Sequence, residues 1–359
     1  MQSPEQLRQD DSRVAERQRL MSLLERETEV ALGALDGEAP LVKTMARYHL
    51  GLTNSSGEPT EPETRESVQG KRIRPLVAML VAEAVGGRAE DAAPVAAAIE
   101  LLHNFTLIHD DIQDRSPNRR HRPTVWRVWG NAQAINAGDA LFAAAHLALL
   151  RTKTVDPAAI VRLMAAFNHC TIDIVRGQVL DIENEGRPGV TPDDYLRMIR
   201  GKTAAILRFS AWAGAVVGGA SEAVAERLGD VGEAIGMGFQ IRDDMLGIWS
   251  PAEETGKDAA DDIRRRKQSL PILILRDRCG EEDRERISNL YSLEEIGPDG
   301  VSEMLQLLEK HNVEALTSAY VDDAHDRAIQ ALDEVLPNQD QPAARALRLL
   351  INQLRDRTF

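Results

Sequence analysis

Cysteine is nearly absent: Cys170 and Cys279 are the two thiols in 359 residues. They lie far apart and outside any CxxC spacing, which excludes a disulfide framework and a thiolate metal site and leaves two buried, reduced thiols as the expectation. Positive charge is in deficit, with 43 Lys and Arg against 57 Asp and Glu and a formal net charge of -14. Such a surface repels phosphate backbones and anionic lipid, so nucleic acid is excluded as a partner. No run approaches the roughly 18 uninterrupted apolar residues of a membrane span, and Met1 to Asp11 is polar and acidic rather than basic and then apolar. The expectation is a soluble, cytoplasmic protein with no transmembrane segment. There is no convincing strand pair and no internal repeat.

What is present is helix. Hydrophobic residues make up 43% of the chain and charged residues 28%, enough to bury a substantial core. Apolar clusters recur at three- and four-residue spacing in stretches rich in Ala, Leu, Glu and Arg. The pattern predicts an outer amphipathic helix over Ser12–Leu35 and a polar loop over Gly51–Gln69. Long helices follow over Leu76–Val85, Ala93–Asp114, Ala132–Arg151, Pro157–Asp181, Pro192–Val217 and Ala223–Trp249. The fold class is all-α, a bundle of long helices.

Two acidic stretches each end a long apolar helix. In the segment His103 to Asp114, Asp110 and Asp114 are four residues apart and share a helix face, with Asp111 beside them and His103 on nearly the same face. Like charges at this spacing destabilise a helix, so three carboxylates in an apolar stretch ask for a compensating cation. Oxygen ligands without a His/Cys cluster select Mg²⁺, which joins carboxylates to substrate phosphates. In the second segment Gln240, Asp243, Asp244 and Gly247 form one helical stripe. A lone pair of this kind is more often a solvated helix end; two of them point to a metal site in a helical bundle.

A diphosphate bridged by Mg²⁺ still has oxygens to satisfy, and guanidinium groups do so with paired bonds. Arg119 and Arg120 follow a turn at Arg115–Asn118 that can fold them back beside the carboxylates. Lys71 and Arg74 lie just inside a predicted helix start, where backbone amides also favour anions. Lys202-Thr203 and Gly256-Lys257 supply further cations, although each alone would more often be a surface lysine.

Taken in order, Gly70-Lys71-Arg72-Ile73-Arg74-Pro75, His109-Asp110-Asp111-Ile112-Gln113-Asp114, Arg119-Arg120, Gly177-Gln178-Val179-Leu180-Asp181, Lys202-Thr203 and Phe239-Gln240-Ile241-Arg242-Asp243-Asp244 resemble the trans-prenyl diphosphate synthases, among them farnesyl and geranylgeranyl diphosphate synthases. The resemblance implies an all-α fold around a central cavity, a single domain over residues 1–359 with residues 1–66 as an N-terminal helical extension and polar loop, and a homodimer. It implies a transferase of isoprenoid biosynthesis that condenses isopentenyl diphosphate with an allylic diphosphate. Asp110, Asp111, Asp114, Asp243 and Asp244 would hold about three Mg²⁺ ions on the allylic diphosphate, assisted by Arg119, Lys202 and Lys257. Lys71, Arg74, His103 and Arg120 would hold isopentenyl diphosphate, and Thr203 and Gln240 would steady the allylic cation.

Three positions depart from the family pattern: Gly247 stands where many members have a third aspartate, Gln69 replaces a frequent glycine, and His121 replaces the usual glycine after the arginine pair. Members often set product length with a bulky residue four or five positions before the first aspartate, here Thr106 and Phe105. Phe105 resembles the geranylgeranyl pattern and favours a C20 product over C15. Helix geometry leaves the matter open, because Phe105 lies about 140° around the axis from Asp110 and Thr106 about 40°. Two rivals remain: a terpene cyclase of related fold, against which Lys71, Arg74 and His103 argue, and a non-catalytic helical scaffold or regulatory subunit.

Overall fold

The structure is a computed structural model that describes residues 4–61, 64–65, 68–185, 187, 189–250, 260–293, 295–336, 338 and 340–357. Among them it is helical almost throughout. α1 spans Pro4–Leu32 and α2 Pro40–His49, then α3 Ile73–Ala84 and α4 Ala89–Gln113. A two-strand hairpin, β1 Asn118–Arg119 and β2 Arg122–Pro123, leads to α5 Val125–Trp129, α6 Asn131–Leu149 and α7 Pro157–Asn184. Next come α8 Pro192–Ile199, α9 Ala205–Val217 and α10 Glu222–Trp249. The chain closes with α11 Asp261–Arg264, α12 Leu270–Arg278, α13 Glu281–Ser292, α14 Pro298–Lys310, α15 Val313–Val335 and α16 Pro342–Arg355. The small hairpin is the one strand pair among the described residues, and the sequence pattern did not anticipate it.

The chain divides into two compact units. The first comprises Met1–Asn168, Ser210–Glu226 and Asp340–Ala346. Its axis is α4, whose Ala92, Ala93, Ala96, Ala97, Ile99, Leu101 and Leu102 are buried, as a helix with a largely apolar central stretch requires. α3, α6 and α1 pack on it. The outer helix expected from Ser12 begins at Pro4 and buries Leu20, Leu24 and Leu32, while Val14 is 57% exposed. Small residues allow the closest approach in this unit: a Cβ on Gly214 would lie 2.2 Å from the Ala78 carbonyl oxygen, and one on Gly218 2.7 Å from that of Ala82. Two glycines four apart thus lie against two alanines four apart, one turn-spaced ridge in another's groove.

The second unit comprises His169–Phe209, Arg227–Gln339 and Leu347–Phe359. Its core gathers Tyr195, Ile199, Ile241, Met245, Ile263, Leu270 and Leu273 with Met304, Leu308 and Val321. Thr191 and Asp194 form a reciprocal capping box at the start of α8, with Pro192 at its first position. The single helix expected over Pro192–Val217 is interrupted: Arg200–Ala204 forms a π-helical turn. Glycines clamp this turn. A Cβ on Gly177 would lie 2.1 Å from the Lys202 backbone nitrogen, and one on Gly236 2.5 Å from the Ala204 Cα. A wide turn held this way re-aims the side chains it carries, as π turns at functional positions do.

By length and composition α7 is the one described helix apolar enough to cross a membrane, and only 33% of that window is buried. Ile172, Val175, Val179 and Ile182 form an exposed stripe along one of its faces.

Candidate active site

Asp110, Asp111 and Asp114 sit at the C-terminal end of α4, with Asp114 as its C-cap and no basic residue in the last turn. Carboxylates there oppose the helix dipole as well as each other. Arg119 on β1 answers part of that charge: its Nε donates to Asp111 Oδ1 at 2.8 Å and its Nη2 lies 3.6 Å from Asp110 Oδ2. The turn from Arg115 therefore does fold the arginine back. Asp111 has 2% of its side chain exposed. Burial pushes its carboxyl up to about 6, against the pull of Arg119. Its Oδ2 is buried without a hydrogen-bond partner.

The hairpin that carries the arginines turns through Arg120 and His121, both in the left-handed region at φ 49° and 61°. A two-residue turn of this kind favours Asn-Gly, so placing Arg and His there stores strain of about 1–2 kcal/mol each. The missing glycine at 121 is therefore a backbone matter. Arg120 is thrown against Gly70, where a Cβ would lie 2.5 Å from its Nη2, and its Nη1 reaches the Val68 carbonyl at 3.5 Å. The glycine of the basic motif thus makes room for the second arginine. Loss of hydration, then the charges of Arg74, Arg120 and Arg119, holds His103 well below its ordinary range. Lys71 is not inside a helix as expected: α3 starts at Ile73, because Arg72 adopts φ 51°. Arg74 lies in its first turn.

In the second unit Asp244, 1% exposed, is the hub. Its Oδ2 accepts from Tyr195 Oη at 2.6 Å, and its Oδ1 accepts from Lys267 Nζ at 2.7 Å and Gln240 Nε2 at 3.1 Å. Thr203 Oγ1 donates to Gln240 Oε1 at 2.9 Å, which fixes the orientation of that amide. Lys202 is held by Asp181 at 2.5 Å, so the Gly177-to-Asp181 motif supplies both the gap for the π turn and the anchor for its lysine. Burial and then Asp244 raise the Tyr195 phenol well above its usual value. Burial opposes the charge on Lys267, but Asp244 and Asp262 outweigh it and raise its proton affinity. Asp243 is paired with Arg357, whose guanidinium also lies 5.3 Å from the centre of the Phe239 ring.

Gly247 acquires a reason here. A Cβ at 247 would lie 2.5 Å from Asp262 Oδ2, so this carboxylate stands against the place where a third motif aspartate would begin. Tyr195, Asp262, Lys267 and Arg357 escaped the sequence reading. Lys267 ends a basic run, Arg264 to Lys267, that looks like a solvated face, and Arg357 lies more than a hundred residues from its partner. Lys257 lies outside the described residues. Among the described residues no three His, Cys, Asp or Glu side chains already converge as a preformed metal cage.

Phe105 joins a file of aromatic rings in the first unit. Its centroid is 4.9 Å from that of Phe142 and 4.8 Å from that of His109, and Phe142 stacks at 6.4 Å on Phe167. Thr106 spends its hydroxyl on the His103 carbonyl at 2.8 Å.

With this geometry in place, comparison with known proteins is informative. A family model described as polyprenyl synthetase matches residues 63–308. The chain belongs to the polyprenyl synthetase family. It is 42% identical over 233 residues to a (2E,6E)-farnesyl diphosphate synthase of Mycobacterium bovis, a match over 65% of this chain and 63% of that protein, just under two thirds of the relative's length. The geranylgeranyl pyrophosphate synthetase of Pyrococcus horikoshii has the same fold, with a TM-score of 0.84 at 30% identity over 97% of this chain and 99% of that one. A polyprenyl synthase of Caulobacter crescentus, complexed with calcium and isoprenyl diphosphate, superimposes with a TM-score of 0.81 at 27% identity over 97% and 98%.

Proposed function

We propose that this polyprenyl synthetase is a Mg²⁺-dependent prenyltransferase that joins isopentenyl diphosphate to an allylic diphosphate and stops at the C20 product, geranylgeranyl diphosphate. The observation that carries the metal is Asp111: a buried carboxylate at the negative end of a helix whose Oδ1 is met by Arg119 while its Oδ2 has no partner, so that one oxygen remains for a further cation. Asp110, Asp111 and Asp114 would hold divalent ions, and so would Asp243 and Asp244. Bound there, Mg²⁺ supplies Lewis-acid stabilisation of a departing diphosphate. That a structural neighbour carries calcium with isoprenyl diphosphate supports this chemistry.

The chain's own residues do the rest. Arg119 and Lys202, each oriented by a carboxylate, take up the charge that grows on the leaving oxygens as the allylic C–O bond breaks. Thr203 and Gln240 present fixed oxygen dipoles to the allylic cation. The isopentenyl double bond attacks that cation to form the new C–C bond, and a proton then leaves to the released diphosphate. Tyr195 and Lys267 hold Asp244 in place until an ion competes for it.

The test offers dimethylallyl, geranyl and farnesyl diphosphates separately with isopentenyl diphosphate, and geranylgeranyl diphosphate alone. Elongation to C20 in Mg²⁺, and no turnover of geranylgeranyl diphosphate alone, is expected. Hydrocarbon release from a single substrate would mean a cyclase instead.

The raised pKa of Asp111 has a sign. Because the folded state holds this proton more tightly than the unfolded one, the contribution to stability is present at low pH and is lost as pH rises through about 6. A metal that needs the carboxylate must expel the proton. At about pH 5 metal binding should therefore release about one proton per chain more than at about pH 8, read from calorimetric heats in two buffers of different ionisation enthalpy.

The exposed stripe on α7 is covered, in this reading, by a second copy of the chain, and light scattering should return the mass of a dimer.

A further inference from the structure

The N-terminal helices look like an appendage, because the family match begins only at residue 63. The structure ties their end to the hairpin that carries the arginines. Tyr48 Oη donates to the Pro123 carbonyl at 2.7 Å, Arg122 lies 4.0 Å over the Tyr48 ring, and Arg122 Nη2 donates to the Thr53 carbonyl at 2.8 Å. Gly51, at φ 74°, sits so close that a Cβ would lie 2.9 Å from Val68 Cγ2 and 3.1 Å from Gln69 Cγ. Gly70 in turn lies beneath Arg120. The end of α2, the segment 68–70 and the β1–β2 turn therefore meet at one place.

Polar side-chain atoms are left over where they meet. Nε2 of His49 and Nε2 of Gln69 are both buried without a hydrogen-bond partner. Their surroundings are positive: burial, then Arg120, Arg119 and Arg122, holds His49 well below its ordinary range, and His49 in turn lowers His103. The Gln69 amide is a donor, and so is His49 with its proton on Nε2; buried beside Arg119, Arg120 and Arg122, both are groups that a small polyanion would satisfy.

We propose that His49 and Gln69 are substrate-binding residues that complete the isopentenyl diphosphate subsite with Arg74, His103 and Arg120, so that α2 is part of the active site. The inference rests on the function proposed above and adds to it two donors, one of them from a helix outside the matched family region. It also gives the glycine-to-glutamine departure at 69 a purpose, as an added amide donor to the diphosphate.

The test is calorimetric titration of the full-length chain with isopentenyl diphosphate in the absence of an allylic substrate, together with steady-state kinetics. His49→Ala should weaken binding about tenfold, which is about 1.4 kcal/mol, and Gln69→Ala about fivefold. The loss should appear in KM for isopentenyl diphosphate rather than in kcat or in KM for the allylic substrate. His49→Gln, which returns an N–H donor near the imidazole Nε2, should recover most of it. Binding by His49→Ala and Gln69→Ala equal to wild type overturns the inference, as does a parallel rise in both KM values with a lowered melting temperature that His49→Gln does not repair. Wild-type protein that binds isopentenyl diphosphate without elongating it would defeat the proposed function and leave this inference standing; elongation unaffected by His49→Ala would do the reverse.

Discussion

Asp110→Ala lowers kcat by about a thousandfold or more, in the expected result, while the far-ultraviolet circular dichroism stays that of the parent. The asymmetry between neighbouring aspartates underlies this. Asp111 is buried and bonded to Arg119, so its removal strands a guanidinium. Asp110 is 19% exposed and stands 3.6 Å from the same arginine, so its removal leaves the Asp111–Arg119 bond in place. It also relieves repulsion at the negative end of α4, and melting should occur at the same temperature or slightly higher. Loss of helicity in Asp110→Ala would make this carboxylate structural.

The second large effect is on product length. Phe105 and Phe142 are each partly exposed and stack in file on Phe167, which is fully buried. A growing apolar chain that reaches this file meets stacked rings backed by the buried Phe167. Phe105→Ala is expected to lengthen the main product beyond the proposed C20, to C25 or longer, and Phe105→Ala with Phe142→Ala further still, by chromatography of the dephosphorylated alcohols. Phe167→Ala should instead destabilise by about 3–5 kcal/mol, as a fully buried aromatic does. Thr106→Ala, which frees only a hydroxyl already bonded to its own helix, should leave the product as it is. Unchanged length in the double variant would place the floor elsewhere.

How far the sequence reaches can be judged residue by residue. The all-α architecture follows from apolar spacing, and α4 and α10 were located to within a few residues, α4 from its Ala- and Leu-rich run and α10 from apolar residues that keep helical spacing through five glycines. The π turn was not foreseen: Gly201 and Thr203 within Arg200 to Ala204 are weak helix formers, and what the turn packs against is Gly177 and Gly236, far off in sequence. The hairpin turn was hidden for the opposite reason, since Arg120 and His121 adopt a conformation their residue types disfavour. In the acidic stretches the aspartates were legible from spacing. Their counter-ions were not, because Arg357, Lys267 and Tyr195 are joined to Asp243 and Asp244 only by tertiary contact. His49 carried no motif at all, and only a buried nitrogen without an acceptor draws attention to it.

The most direct test locates the ions. Crystals grown with Mn²⁺ and inorganic pyrophosphate should give anomalous peaks about 2.1–2.3 Å from carboxylate oxygens of the Asp110, Asp111 and Asp114 group and of the Asp243 and Asp244 group, with pyrophosphate oxygens on the same ions. Peaks that avoid both aspartate groups, or pyrophosphate held with no metal beside them, would contradict the account.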